Sequence, residues 1–281
     1  MAKKKRKKAL KNLSKASPAE IAKFFAGEVL LLSGKAATTF DGDVVSTGLR
    51  SLNRALGIGG VPRGRIIELF GPESSGKTTL ALKILAQFQK AGLKVAFIDA
   101  EHALNLKYAR QIGLKTEDVL ICQPDGGEEA LELVHKFLKT KAVSAIVVDS
   151  VAALVPMREQ EKGVEGTTMG MQAGMMSKGL RIMNPRVSKS NTLVIFINQT
   201  RMKIGLVFGN PETTSGGMAL KFFASMRWNI RSKPYKKGAK LRGIDCRVKI
   251  IKNKLAVPFK TANLRLEYGE GWKSIKGDTD E

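Results

Sequence analysis

Eight consecutive residues, Gly71-Pro72-Glu73-Ser74-Ser75-Gly76-Lys77-Thr78, leave this chain little freedom in how it folds. They fit G-x-x-x-x-G-K-[ST], a loop that wraps nucleotide phosphates between a buried strand and the start of a helix. The flanks agree with that placement. Arg65-Ile66-Ile67-Glu68-Leu69-Phe70 reads as a strand, and Thr79-Leu80-Ala81-Leu82-Lys83-Ile84-Leu85 opens a helical pattern. Glycine lets backbone N–H groups close on phosphate oxygens with no Cβ in the way, and the helix N-terminus turns its positive dipole end toward them. On this pattern Gly71, Pro72, Glu73, Ser74, Ser75, Gly76, Lys77, Thr78 and Thr79 form the phosphate-binding set. Lys77 reaches the β and γ phosphates, and Thr78 places its hydroxyl on Mg2+. The expected ligand is a nucleoside triphosphate with Mg2+.

The rest of the chain supplies the sheet that such a loop needs. Apolar strand candidates at 65–70, 94–99, 119–123, 144–149 and 192–198 alternate with helical stretches at 77–91, 102–112, 127–140 and 171–187. Continuous apolar strands between helices indicate a parallel sheet covered on both faces. Beyond 224, the segments Ser225–Arg231, Cys246–Lys252 and Leu264–Tyr268 read as further strands, added as antiparallel extensions. The expected fold is therefore α/β, a P-loop NTPase core with a central, mostly parallel sheet. Four parts are expected: a basic disordered arm over 1–16, a helix and linker over 17–40, the ATPase core over 41–272 and a short acidic tail over 273–281. The arm rests on charge alone, eight basic and no acidic residues in the first fifteen. Such a block is by default a solvated arm. The helix rests on the capping box Ser17-Pro18-Ala19-Glu20 and on Ile21, Phe24, Phe25, Val29 and Leu32 sharing one face. One amphipathic helix cannot bury that face alone, so it must dock on its own body or on another protomer.

Charge narrows the partners. Lys and Arg total 48 against 25 acidic residues, a net charge of +23, which suits a polyanion, either nucleic acid or an anionic membrane. No apolar run is long enough to cross a bilayer. A basic start followed by an apolar stretch imitates a secretory signal, but Lys23 and Glu28 interrupt the stretch and no small-residue cleavage pattern follows. Cys122 and Cys246 have no metal spacing and are expected to be reduced core thiols in a cytoplasmic protein.

Three strands end in chemistry. Ser144-Ala145-Ile146-Val147-Val148-Asp149-Ser150 closes on an acid that, beside a phosphate loop, orders Mg2+ and its waters. Val95-Ala96-Phe97-Ile98-Asp99-Ala100-Glu101-His102 offers two acids. Glu101 is assigned as the carboxylate that activates water and Asp99 as structural, the competing reading being that either one caps a helix starting near His102. Leu193-Val194-Ile195-Phe196-Ile197-Asn198-Gln199 ends in an amide able to sense a γ-phosphate. A long, basic, glycine-bearing loop follows from Thr200 to Gly217, and long loops in compact domains are usually functional. A loop that orders on nucleic acid fits it better than a passive connector.

With these residues in view, GPESSGKTT, FIDAEHAL, IVVDSVAAL, LVIFINQTRMKIG, FGNPETTSGG and VKIIKNK resemble the bacterial RecA recombinase family, in order and in spacing, from about residue 40 to 272. The resemblance implies an ATP-dependent helical filament that coats single-stranded DNA, searches a duplex for homology and exchanges strands in DNA repair. It implies that Tyr108 stacks on adenine and that Lys252 and Lys254 reach the neighbouring protomer's ATP. It places DNA-binding loops at 162–170 and 200–214, with Met169, Arg181, Arg201, Lys203, Phe208, Asn210, Gly216 and Gly217 on DNA. The 18–32 helix then resembles the family's polymerisation helix, and a LexA-type repressor joins the expected partners. The chain departs from the family pattern in three places. It stops soon after Tyr268-Gly269-Glu270-Gly271-Trp272, so the small C-terminal domain of typical members is expected to be missing. Asn105 stands where an Asp is usual near the adenine, and Gly174 replaces a basic residue beside the first DNA loop. A RecA-like paralogue that binds DNA and ATP without strand exchange is the second reading, and retention of Glu101, Gln199, Lys252 and Lys254 argues against it. A transporter or helicase subunit would need membrane helices or further domains.

Overall fold

The computed structural model describes Ser17 and residues 42–162, 170–202 and 212–275. The arm at 1–16, the helix expected over 18–32 and the end of the tail lie outside these residues. The elements run β1 (Val44–Val45), α1 (Arg50–Leu56), β2 (Val61–Pro62), β3 (Ile66–Gly71), α2 (Lys77–Lys90), β4 (Val95–Asp99), α3 (Leu106–Gln111) and β5 (Val119–Cys122). They continue with α4 (Gly127–Thr140), β6 (Ala145–Asp149), α5 (Met157–Lys162), α6 (Met171–Ser190), β7 (Leu193–Met202), β8 (Glu212–Thr214), α7 (Ala219–Phe223), β9 (Met226–Lys237), β10 (Lys240–Asn253), β11 (Thr261–Glu267) and β12 (Gly271–Ser274).

One sheet carries the molecule, in the order β12-β11-β10-β9-β3-β7-β6-β4-β5, with β8 added to β7. From β9 to β5 every neighbouring pair is parallel, whereas β9, β10, β11 and β12 form an antiparallel meander on the far edge. The parallel strands are mostly apolar because helices cover both faces, Glu68 in β3 and Asn198 in β7 being buried exceptions. On one face α1, α2 and α3 close a core around Leu52, Leu80, Phe88, Phe97, Ile195 and Trp228. On the other, α4, α6 and α7 close a second core around Leu131, Ile146, Val148, Phe196, Leu180 and Leu220. The antiparallel half joins the first core through Val248, Ile250, Leu264, Leu266 and Trp272.

Two expectations change. The helix foreseen over 102–112 begins only at Leu106, because the Asp99 carboxylate takes the N–H groups of Ala103 and Leu104 (both 3.2 Å) and Asn105 supplies the cap, accepting from the Tyr108 N–H at 3.0 Å. Both cysteines are free thiols as expected, but only Cys246 is a core residue; Cys122 is half-buried at the sheet edge. Burial pushes the Cys246 thiol up to about 12, so it stays protonated and inert.

Candidate functional site

The phosphate loop joins β3 to α2 in the arrangement that the octapeptide demands. Two of its glycines have specific reasons to be glycine. A Cβ on Gly71 would lie 2.1 Å from the Ile230 carbonyl oxygen. Gly76 sits at φ 89°, and a Cβ there would lie 3.2 Å from Trp272 Cη2 and 3.4 Å from Ile244 Cδ1. The antiparallel meander is thus the floor on which the loop rests. Lys77 folds back over the loop and donates to the carbonyls of Pro72 (2.6 Å) and Gly71 (3.3 Å). Burial lowers its pKa, while Asp149, Glu101 and Glu73 act the other way. A cleft of about 220 Å3 runs beside the loop, lined by Ser74 to Thr79, Tyr108, Ile244, Leu266 and Tyr268. The Tyr108 hydroxyl lies 3.2 Å from Thr79 Oγ1, which places a ring beside that cleft.

The strand ends converge next to it. Open α/β sheets bind ligands outside the carboxyl ends of their strands, and here β3, β4, β6 and β7 all deliver polar residues at that end. Thr78 donates its hydroxyl to Asp149 Oδ2 at 2.6 Å. Thr78, Asp99, Glu101, Asn105, Tyr108 and Asp149 line one crevice of about 160 Å3. Glu101 accepts from the Ser150 hydroxyl and, at 3.4 Å, from Gln199 Nε2. Burial raises Asp149 to about 6; the Thr78 bond lowers it and the nearby Glu101 charge raises it further. A buried carboxylate paired with a hydroxyl is a hard-oxygen donor set that a divalent cation such as Mg2+ would satisfy. Among the described residues no three His, Cys, Asp or Glu side chains cluster into a metal site complete in itself. The Asp99 carboxylate, although it borders the crevice, accepts from the backbone of the following turn and from Gln123 Nε2 at 3.0 Å.

Lys252 and Lys254 meet at the C-terminal end of α7. Lys252 Nζ donates to the carbonyls of Lys221 (2.6 Å) and Phe222 (3.0 Å), and Lys254 Nζ to that of Phe222 (3.4 Å). Their recorded partners are these carbonyls and not the phosphate loop of the same chain. Burial, with the neighbouring charges of Lys254 and Arg227, brings Lys252 down to about 8.

Of the residues expected on nucleic acid, Met169, Lys203, Phe208 and Asn210 lie outside the described set. Arg181 is exposed on α6 and Arg201 is exposed near the end of β7. Gly216 and Gly217 have φ of 78° and 76°, and Cβ atoms there would strike Val151 Cγ1 at 2.8 Å and Ala173 Cβ at 2.7 Å. Both are therefore also packing glycines, pressed against the start of α6. Gln172 holds this junction: its Oε1 accepts from the Gly216 N–H (3.0 Å), and its Nε2 donates to the carbonyls of Val151 and Leu154. The sequence reading passed over Gln172, Ser150, Trp272, Glu68 and Asn198. Only the last two carried a local signal, polar residues inside otherwise apolar strands.

A phosphate loop on a mostly parallel α/β sheet, with Thr78, Asp149 and Glu101 converging beside it, defines the chain as a P-loop nucleotidase. Residues 11–273 match the RecA N-terminal domain family. Protein RecA of Methylococcus capsulatus is 51% identical over 257 residues, covering 91% of this chain and 74% of that protein. Protein RecA of Bdellovibrio bacteriovorus is 52% identical over 249 residues, covering 88% of this chain and 66% of that protein. The chain belongs to the RecA family and spans about two thirds to three quarters of the length of these relatives. The crystal structure of the RadB recombinase shares the fold, with a TM-score of 0.63 at 24% identity over 83% of this chain and all of that one. No helix among the described residues is long and apolar enough to cross a membrane.

Proposed function

We propose that this chain is an ATP-dependent homologous-recombination protein, a DNA-dependent ATPase that assembles into a helical filament on single-stranded DNA and exchanges strands with a duplex. The observation that carries the reading is that Thr78, Asp149 and Glu101 share one crevice at the strand ends, with the Lys77 charge acting on Asp149 and Glu101 and with Gln199 bonded to Glu101. In the proposed reaction the triphosphate takes the loop N–H groups, and Lys77 leaves the Pro72 and Gly71 carbonyls for the phosphate oxygens, a charge-assisted exchange. Mg2+, held through Thr78 and Asp149, would neutralise charge building on the β and γ phosphates. Ser150 holds Glu101 in place to orient the attacking water and take its proton. Gln199, whose amide donates to Glu101, is placed to trade that bond for the γ-phosphate. Tyr108 supplies a face for the adenine. Lys252 and Lys254 act on the ATP of the next protomer, since head-to-tail packing that does not close leaves each site between two subunits.

Cytoplasmic location, action on a LexA-type repressor and the DNA contacts of Arg181, Arg201 and the two loops belong to the same proposal. ATP hydrolysis measured with and without single-stranded DNA tests it. Wild type should be stimulated by DNA, Lys77→Ala should neither bind nor hydrolyse ATP, and Glu101→Gln should bind ATP but lose roughly 100-fold or more in turnover. Normal turnover by Glu101→Gln would transfer the base role to Asp99.

A further inference from the structure

The proposed reaction uses the face of the base and none of its edges. A stacked face does not tell one purine from another, so that choice falls to the polar groups bordering the ring. Tyr108 lines both the cleft beside the phosphate loop and the crevice at the strand ends, with its hydroxyl 3.2 Å from Thr79 Oγ1. Across the cleft, Ile244, Leu266 and Tyr268 offer apolar or aromatic surface. On the near side, polar side chains come from the turn between Asp99 and Tyr108.

Two acceptors of that turn are spent inward. Asp99 is buried, and its oxygens take the N–H groups of Ala103 and Leu104 and the side-chain amide of Gln123. Asn105 lines the same crevice, and its Oδ1 accepts from the Tyr108 N–H at 3.0 Å. That bond fixes which way the amide is turned, because only its oxygen can accept from a backbone N–H. Nδ2 is therefore the outward end, and among the described residues it has no partner. Asn105 is exposed, so this donor is open to a ligand; the side-chain amide, not the helix terminus, is what a base would meet. An aspartate would cap α3 equally well and present an acceptor instead. The residue type at 105 thus sets the sign of the hydrogen bond on offer without altering the local fold.

Purines differ in what they can do with a donor. Along one edge adenine sets its N7 acceptor beside an N6 amino donor, whereas a 6-oxopurine carries acceptors at both N7 and O6. The Asn105 amide can bond N7 of either base and O6 of the second, but it meets another donor at the adenine amino group. We infer that Asn105 determines base specificity, and that this chain takes 6-oxopurine nucleoside triphosphates about as readily as ATP. The inference rests on the functional reading above, in which a nucleotide fills the phosphate loop with its base against Tyr108.

Inosine diphosphate is the probe, since its base differs from adenine in carrying an oxo group for the 6-amino group, with the N1 proton that follows. Displacement of a ribose-labelled fluorescent ADP by ADP and by IDP gives the two dissociation constants. In wild type they should agree within about threefold. Asn105→Asp keeps the cap and turns an acceptor to the base, so IDP should weaken relative to ADP by about tenfold, the span of one hydrogen bond. Repulsion between the new carboxylate and the phosphates weakens both nucleotides alike and drops out of the ratio. Asn105→Ser, a cap with no second polar atom to offer, should fall between the two. A residue that served only to start the helix would move both constants together. A ratio unchanged across the three proteins therefore overturns the inference, as does a wild-type preference for ADP beyond about threefold. Failure of wild type to bind labelled ADP at all would instead remove the functional reading, and the inference with it.

Discussion

Gly76→Ala is the smallest change that tests how the phosphate loop is held. At φ 89° the new side chain enters the left-handed region, which costs an L-residue about 1–2 kcal/mol. Its methyl would also lie 3.2 Å from Trp272 Cη2 and 3.4 Å from Ile244 Cδ1, close enough that the indole must shift, for about 1 kcal/mol more. The total of roughly 2–3 kcal/mol must appear somewhere. If the loop keeps its shape, the unfolding free energy falls by that amount. If the loop relaxes, stability is spared and binding must restore the strained shape, weakening an ATP analogue by roughly tenfold for every 1.4 kcal/mol. Urea unfolding and analogue titration on one preparation measure both shares. Adding Trp272→Phe shrinks the obstructing ring and should return the contact share, giving a non-additive double-mutant cycle, while leaving the backbone share. The account of the floor is refuted if Gly76→Ala changes neither quantity, or if the two substitutions add without interaction.

Two further outcomes rest on the placement of Lys252 and Lys254, and a third on the charge of the first fifteen residues. Lys252 titrates near 8, below the ordinary lysine value, so its charged form is penalised in the folded protein at neutral pH. That penalty lifts as pH rises from about 8 toward 10.5 while the charge itself is lost, so DNA-stimulated ATPase should show an alkaline limb at or above pH 8, which Lys252→Arg should remove. An identical limb in the arginine variant would separate Lys252 from turnover. Lys252→Ala and Lys254→Ala should each bind ATP yet hydrolyse poorly, and mixing either with Glu101→Gln protein should recover activity at interfaces carrying both groups; no recovery would place the lysines within their own subunit. Deleting residues 1–15 removes eight positive charges, and each lost duplex contact should flatten the log–log salt dependence of binding by about 0.9. Unchanged duplex affinity and slope would leave the arm without a part in DNA binding.

The parallel half of the sheet could be read almost residue by residue, because its strands are apolar runs and its helices carry their own period. The helix at 127–140 and the strands ending in Asp99 and Asp149 lie where that pattern puts them. Local competition spoiled the helix foreseen from residue 102, since Asp99 takes the first two donors and Asn105 starts the helix late. The long meander was harder. β9 and β10 run 12 and 14 residues, well beyond their apolar centres, because cross-strand pairing extends the exposed Lys- and Arg-bearing ends that hydropathy alone reads as loop. Within the site, the phosphate loop announces itself by spacing, whereas Ser150 on Glu101 and Asn198 between Glu68 and Ser215 are partnerships across the chain that no window of sequence contains.

The floor beneath the phosphate loop also says something about how the protein is made. The loop is synthesised early, at residues 71–78, but Trp272, against which Gly76 rests, leaves the ribosome roughly two hundred residues later. A nascent chain bearing the complete octapeptide therefore still lacks the surface that shapes it. Ribosome-stalled chains ending before β12 should fail to retain immobilised ATP, and those long enough to expose Trp272 should retain it. Nucleotide capture in this sense reports completion of β12.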